Sequence, residues 1–315
     1  MTKFFNDGEA SDPAYVMWRN EPLYASLRER VERLWTKYQP FCPDRHFLAE
    51  AKTHFLQRTW EMHLACVLMD HGATLRRHPP TGPDICIGSD PPTWVEAVAV
   101  GGGEGIDRVQ NAEERRYKDE PSDPEVWAGD LPSEESLVLR CTHALEVKRS
   151  AFDRYRKAGI VAARDICIVA ISFAGIDDAF YLFNYDEIPI VVKALFGIGP
   201  DMLSYPRESD APPKWFHPHR PRTTKISGAR VVANAFAAGH AKDISGTFAT
   251  AWDLSNSSDA GEKIMFVNNP TARSLIPAGT FQFGSEFIAR DGEITRKHWS
   301  PFNPLTGGPW RLPGG

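Results

Sequence analysis

Leu23, Leu27, Val31 and Leu34 recur at spacings of three and four, which predicts a helix over residues 22–38. A longer helix is predicted over residues 49–70. Its apolar face is Leu56, Trp60, Leu64, Val67 and Leu68, and Gly72 supplies the stop. The period then shortens. Residues 74–78 read as a strand, the run Pro79-Pro80-Thr81-Gly82-Pro83 as a turn, residues 84–87 as a short strand, Asp90-Pro91-Pro92 as another turn and residues 94–100 as a further strand. Short strands joined by a proline turn predict a hairpin or meander.

Gly101 to Gly105 ends that sheet segment, and residues 107–135 are polar, acidic and proline-rich, the composition of a surface excursion carrying little core. A helix over residues 137–157, closed by Gly159, feeds a strand over residues 165–172. A helix between two strands of one sheet is the crossover unit of an α/β fold. Residues 180–195 are apolar without a clear period. Residues 197–227 form a second excursion, with six prolines and the cations Lys214, Arg220, Arg222 and Lys225. Strands are predicted again over residues 244–252 and 263–267. The chain thus divides into an N-terminal helical segment (1–48), a core (49–175) with an insertion at 107–135, an extension of the same sheet or a packed subdomain (176–290) and an irregular tail (291–315).

The chain of 315 residues is 42% hydrophobic, enough for a sizeable core. Its longest nearly apolar stretch, residues 166–176, is well short of the roughly 20 residues of a membrane helix. The opening residues lack the apolar run of a secretory signal. The five cysteines, Cys42, Cys66, Cys86, Cys141 and Cys167, form no CxxC pair and fit a reducing compartment, so the expected location is the cytoplasm. A formal charge of −5 argues against a protein that coats nucleic acid through bulk positive charge. Positive charge is nevertheless concentrated locally. Residues 140–165 hold seven Lys or Arg against three acids.

Three acids stand where charge is costly. Asp84 opens a strand directly after Pro83, and Glu96 sits among valines and alanines in the neighbouring strand. A proline turn between them can bring the two carboxylates side by side at one end of a hairpin. A charged glutamate inside an apolar strand needs a cation or donors to meet it, and a hard divalent cation such as magnesium does so economically. Glu61 shares a helix face with Leu64, Ala65 and Leu68 and points partly toward the core. Lys148 lies on or beside the buried stripe of its helix, with Tyr155 further along, and either snorkels to water or faces the carboxylates across the sheet. The plainer alternative makes Asp84 a turn cap and leaves Glu96 and Glu61 solvated. Gly101 to Gly105 lacks the lysine of a phosphate loop, His217-Pro218-His219 lacks cysteine partners for zinc, and Gly284-Ser285-Glu286 is not a nucleophile elbow.

The order of a helix with Glu61, then Gly82-Pro83-Asp84, then Trp94-Val95-Glu96-Ala97-Val98, then a basic helix before a buried strand resembles the restriction-endonuclease-like PD-(D/E)xK nuclease superfamily. The resemblance covers residues 50–175. It implies an α/β fold with a restriction-endonuclease-like core, a mixed central sheet flanked by helices, and here additional C-terminal strands. It also implies a magnesium- or manganese-dependent hydrolysis of phosphodiester bonds in DNA, with RNA left open, in which Asp84, Glu96 and Glu61 bind the metal. The family's lysine follows the strand acid by two residues, where this chain has Val98. Lys148 is the candidate for a migrated lysine, which makes Asp84, Glu96, Lys148 and Glu61 the implied catalytic set. Arg149, Arg154, Lys157, Lys214, Arg220 and Arg222 are the expected nucleic-acid contacts, and a homodimer is left open. The competing readings are a catalytically silent nuclease-like module that binds nucleic acid or protein, and a different α/β enzyme or structural protein.

Overall fold

The computed structural model describes residues 2–115, 130–184, 188–205, 212–299 and 310–311. Along the chain lie helix α1 (Pro13–Asn20), a 3-10 turn (Pro22–Tyr24), α2 (Ala25–Tyr38), α3 (Phe47–Ala51), α4 (Phe55–Asp70), strands β1 (Ile85–Ile87) and β2 (Thr93–Gly101), α5 (Glu134–Lys157) and β3 (Ile166–Gly175). Then follow α6 (Tyr181–Asn184), α7 (Ile190–Phe196), β4 (Met202–Ser204), β5 (Lys214–Phe216), β6 (Arg222–Thr224), β7 (Arg230–Val232), β8 (Gly246–Thr250), β9 (Met265–Asn268), β10 (Ser285–Arg290), β11 (Glu293–His298) and β12 (Trp310–Arg311). No helix among the described residues is long and apolar enough to cross a membrane.

One mixed sheet runs in the order β1-β2-β3-β8-β9-β10-β11-β12, with β4-β5 and β6-β7 as separate two-stranded pieces. β2, β3 and β8 are parallel, and β1 closes one edge antiparallel to β2. Alternation along the strands splits the core in two. Ile85, Val95, Ala97, Ile168 and Ala170 pack with α1, α2 and α4 on one face, and Trp94, Val169 and Ile171 pack with α5 and α7 on the other. Helix α5 crosses from β2 to its parallel neighbour β3, as expected of an α/β crossover. The architecture is therefore mixed α/β, with helices on both faces of the sheet.

Several elements differ from their expected bounds. The helix expected over 49–70 is two helices, α3 and α4. The break comes from Asp12, whose Oδ1 accepts the Ala14 and Tyr15 amides of α1 while its Oδ2 accepts the Phe55 amide at the start of α4. The carbonyl of Lys52 turns the same way, accepting the Ser11 and Asp12 amides. In place of a strand over 74–78 there is a single bridge, Leu75 to Ile87. The stretch 180–195 contains α6 and α7. The expected irregular tail from residue 291 instead begins with β11, which pairs in full with β10, because the two strands need only the Asp291-Gly292 turn, at φ 51° and 79°, to meet. The insertion expected to carry little core contributes Val109 and the buried Arg115. Residues 116–129, 300–309 and 312–315 lie outside the described residues.

Candidate functional site

The β1-β2 hairpin pairs Ile85 with Val95, Cys86 with Trp94 and Ile87 with Thr93. Continued one step, the same register sets Asp84 across from Glu96, on the face where α5 lies. Two like charges facing across a strand pair repel, and here the ladder stops. Among the described residues β2 continues without a partner strand on that side, and side chains take over. The Ala97 amide donates to Asp84 Oδ2 at 2.7 Å, the Ala99 amide donates to Gln57 Oε1 at 2.6 Å, and Gln57 Nε2 donates to the Ala97 carbonyl at 3.2 Å. Buried backbone groups must be satisfied by something. Asp84 and Gln57 do this while holding the strand edge open.

Glu96 is 5% exposed. Lys148 Nζ donates to its Oε1 at 3.0 Å, and the Tyr155 hydroxyl lies 3.4 Å from both of its oxygens. Lys148 and Tyr155 are two turns apart on α5, hence on one helix face. Burial, and next the Asp84 charge, push Glu96 up to about 7 against the pull of Lys148. Burial also raises Asp84, opposed by Lys148, the Ala97 amide and Arg58. The Tyr155 hydroxyl is raised by burial and by the carboxylates beside it.

Glu61 reaches the site from α4, on the other face of the sheet, and is 1% exposed. Both oxygens are held. Tyr38 donates to Oε1 at 2.6 Å and Arg58 to Oε2 at 2.7 Å, while Arg58 also pairs with Asp44 and Glu50. Burial, then the Asp84 charge, push Glu61 up to about 8. The Tyr38 hydroxyl also reaches the Asp84 carbonyl at 3.4 Å, which ties the Glu61 network to the strand end. Among the described residues no group of three or more His, Cys, Asp or Glu could hold a metal ion.

The structure thus brings Asp84, Glu96 and Lys148 together and sets Glu61 behind them. The expected cation surface divides. Arg154, Lys157, Lys214 and Arg222 are exposed. Arg149 is instead drawn into ion pairs with Glu146 and Asp243, and Arg220 into one with Glu134 at 2.7 Å and a bond to the Ile198 carbonyl. Both cations are half-buried beside the acids that packing supplies. Tyr155, Arg58, Gln57 and Tyr38 were not among the expected site residues. Helical spacing from Lys148 and Glu61 could have indicated the first two. Nothing local marks Tyr38, which arrives from a separate helix. Comparisons with protein-family models, with curated proteins and with solved structures find no match to this chain.

Proposed function

We propose that the protein is a magnesium-dependent nuclease of the PD-(D/E)xK type that hydrolyses phosphodiester bonds in DNA, with its lysine supplied by α5 instead of β2. The observation that carries this reading is the 3.0 Å contact of Lys148 with Glu96, across from Asp84 where the β1-β2 ladder ends. Magnesium keeps several waters and takes one or two carboxylates from a protein. Asp84 and Glu96 offer that number of hard oxygen donors, and their mutual repulsion is what a divalent cation would relieve. When bound, the ion supplies Lewis acidity that activates water and offsets charge on the phosphate; manganese would serve the same donors.

The chain's own residues have distinct parts in this reading. Lys148 presents its ammonium to the attacking water or to a non-bridging phosphate oxygen, where charge grows in the transition state. Tyr155 keeps Glu96 oriented. Glu61, with both oxygens held, positions the strand end at Asp84 through Tyr38. A bond forms from water oxygen to phosphorus and the bond to the leaving oxygen breaks, giving one phosphomonoester end and one hydroxyl end.

The test is cleavage of single- and double-stranded DNA and RNA with magnesium or manganese by wild type, Asp84→Ala, Glu96→Ala and Lys148→Ala. Each variant is expected to lose activity by about a hundredfold or more, the scale of losing one charge-stabilising group. Full activity in Glu96→Ala sinks the reading. A second reading, a silent nuclease-like binding module, is favoured by the commitment of Glu61 and of Asp84 Oδ2 to internal donors. Binding of nucleic acid by wild type with no cleavage of any substrate selects it.

A further inference from the structure

The strands of the β4-β5 hairpin are exposed except for the half-buried Leu203. Its register pairs Met202 with Phe216, Leu203 with Trp215 and Ser204 with Lys214. Alternation puts Trp215 and Leu203 on one face and Phe216, Met202 and Lys214 on the other. Trp215 is 73% exposed, the adjoining Tyr205 69%, Met202 46% and Phe216 44%. A two-stranded hairpin this exposed gains little from burial. Large apolar side chains left in water on one small hairpin mark an interaction surface.

The root of this hairpin is fixed even though its blade is bare. The Gly199 amide donates to the Pro218 carbonyl and the Arg220 amide to the Gly197 carbonyl, each at 2.7 Å. His217 Nδ1 lies 2.9 Å from Asp201, which Lys193 approaches at 3.4 Å, and Lys193 and Arg220 both meet Glu134 at the start of α5. The aromatic side chains are therefore presented from an anchored base.

Charge identifies the occupant. Residues 201–232 contain six Lys or Arg against three acids, Asp201, Glu208 and Asp210. Lys214, Arg222, Lys225 and Arg230 among them are exposed, whereas Arg220 belongs to the root. The complementary ligand is a polyanion that also offers flat apolar faces. Single-stranded nucleic acid has both, because its unpaired bases stack on aromatic rings while its phosphates meet cations. In a blunt duplex only the two terminal base pairs leave a face open, so Trp215 and Tyr205 would find nothing to stack on along its length.

We infer that the β4-β5 hairpin is a stacking platform for unpaired nucleotides, so that the substrate class is single-stranded or partly unpaired nucleic acid. This rests on the reading of nucleic acid as the substrate. The full chain, held in EDTA to prevent cleavage, is titrated against labelled oligothymidylate and against a blunt duplex, following fluorescence anisotropy. Trp215→Ala is expected to weaken oligothymidylate binding about tenfold, as for the loss of one stacked base, and to leave duplex binding unchanged. Lys214→Ala should weaken both and lower the salt slope by about one ion.

Unchanged oligothymidylate affinity in Trp215→Ala and Tyr205→Ala overturns the inference, as does a wild type that prefers the duplex. Loss of self-association in Trp215→Ala, with oligothymidylate binding intact, also overturns it and makes the hairpin a contact between copies of the chain. Binding through Trp215 without any cleavage on adding magnesium removes the nuclease reading and leaves the platform standing. Cleavage with unaltered binding in Trp215→Ala does the reverse.

Discussion

Glu61 and Glu96 enter the folded protein at a cost that depends on pH. Burial and the neighbouring Asp84 charge move them from 4.5 up to about 8 and about 7. Folding therefore takes up protons between these limits, so the stability these groups contribute is full below pH 4.5 and declines as pH rises through 7 to 8. In metal-free protein, the urea midpoint of Glu61→Gln should gain on wild type steadily from pH 5 to pH 8.5. A difference that stays constant would mean that Arg58 keeps Glu61 ionised throughout. His63 runs the opposite way, since burial lowers it from 6.5 to about 4 while its Nε2 lies 3.0 Å from the Ser258 carbonyl. The unfolded chain binds that proton first, so its contribution is lost as pH falls from 6.5 through 4, and His63→Gln should remove about 3 kcal/mol of that acid dependence. Lys148 and Glu96 form a pair whose halves do not act alone. Lys148→Met leaves a buried carboxylate without its cation, so at pH 8 it should cost more stability than the double variant with Glu96→Gln, by up to several kcal/mol. Equal losses in the single and double variants would show that Tyr155 and solvent suffice for Glu96.

At the scale of elements, two small features decide how the helices and strands meet. Asp12 accepts from the first turn of α1 with one oxygen and from the first amide of α4 with the other. Asp12→Ala removes both at once, and about 1–2 kcal/mol per lost cap is the expected cost, read as a lowered melting temperature. The loss should reach the site too, because α4 carries Gln57, Arg58 and Glu61. Gly284 stands at φ +57°, and a Cβ there would run into the carbonyl oxygens of Ile264 and Gly261. Gly284→Ala should therefore weaken the approach of β10 to β9 strongly, and hydrogen exchange of the Phe287 and Val267 amides should rise. The helices α2, α4 and α5 and the strands β2 and β3 were legible from apolar spacing, because each buries a broad face. The α3-α4 break was not, because the residue that causes it lies about forty positions away in sequence. β11 escaped notice because Glu293, Thr295 and Lys297 leave only one buried position, Ile294, to signal a strand.

For the whole molecule, the site depends on strands far along the chain. β3, which backs β2, has β8 as its other neighbour, and β8 leads into β9 and β10. A chain ended after Gly175 would keep Asp84, Glu96 and Lys148 and would expose the edge of β3 along Ile168 to Ser172, a long apolar edge open to aggregation. Such a fragment should fail to fold cooperatively, whereas the full chain should unfold in one transition that carries both the tyrosine and the tryptophan signals. A folded, soluble 1–175 fragment would show that the later strands are an addition, as a division of the chain at residue 175 had suggested.

Spacing and composition alone determined the α/β class, the crossover helix between β2 and β3, the short hairpin, and the three acids and one lysine worth attention. These are local or periodic properties, written within a few turns or one strand pair. Tertiary structure decided the rest. The register that sets Asp84 across from Glu96 ends where their charges would face each other, and only packing against α4 supplies Gln57 to finish the strand edge. Only the docking of α5 turns Lys148 inward to Glu96 while Arg149 is drawn off to Asp243. Only the meeting of α2 with α4 gives Glu61 its tyrosine. Each of these outcomes depends on which distant side chain satisfies a buried charge or amide, and that partner lies too far along the chain for spacing to reveal it.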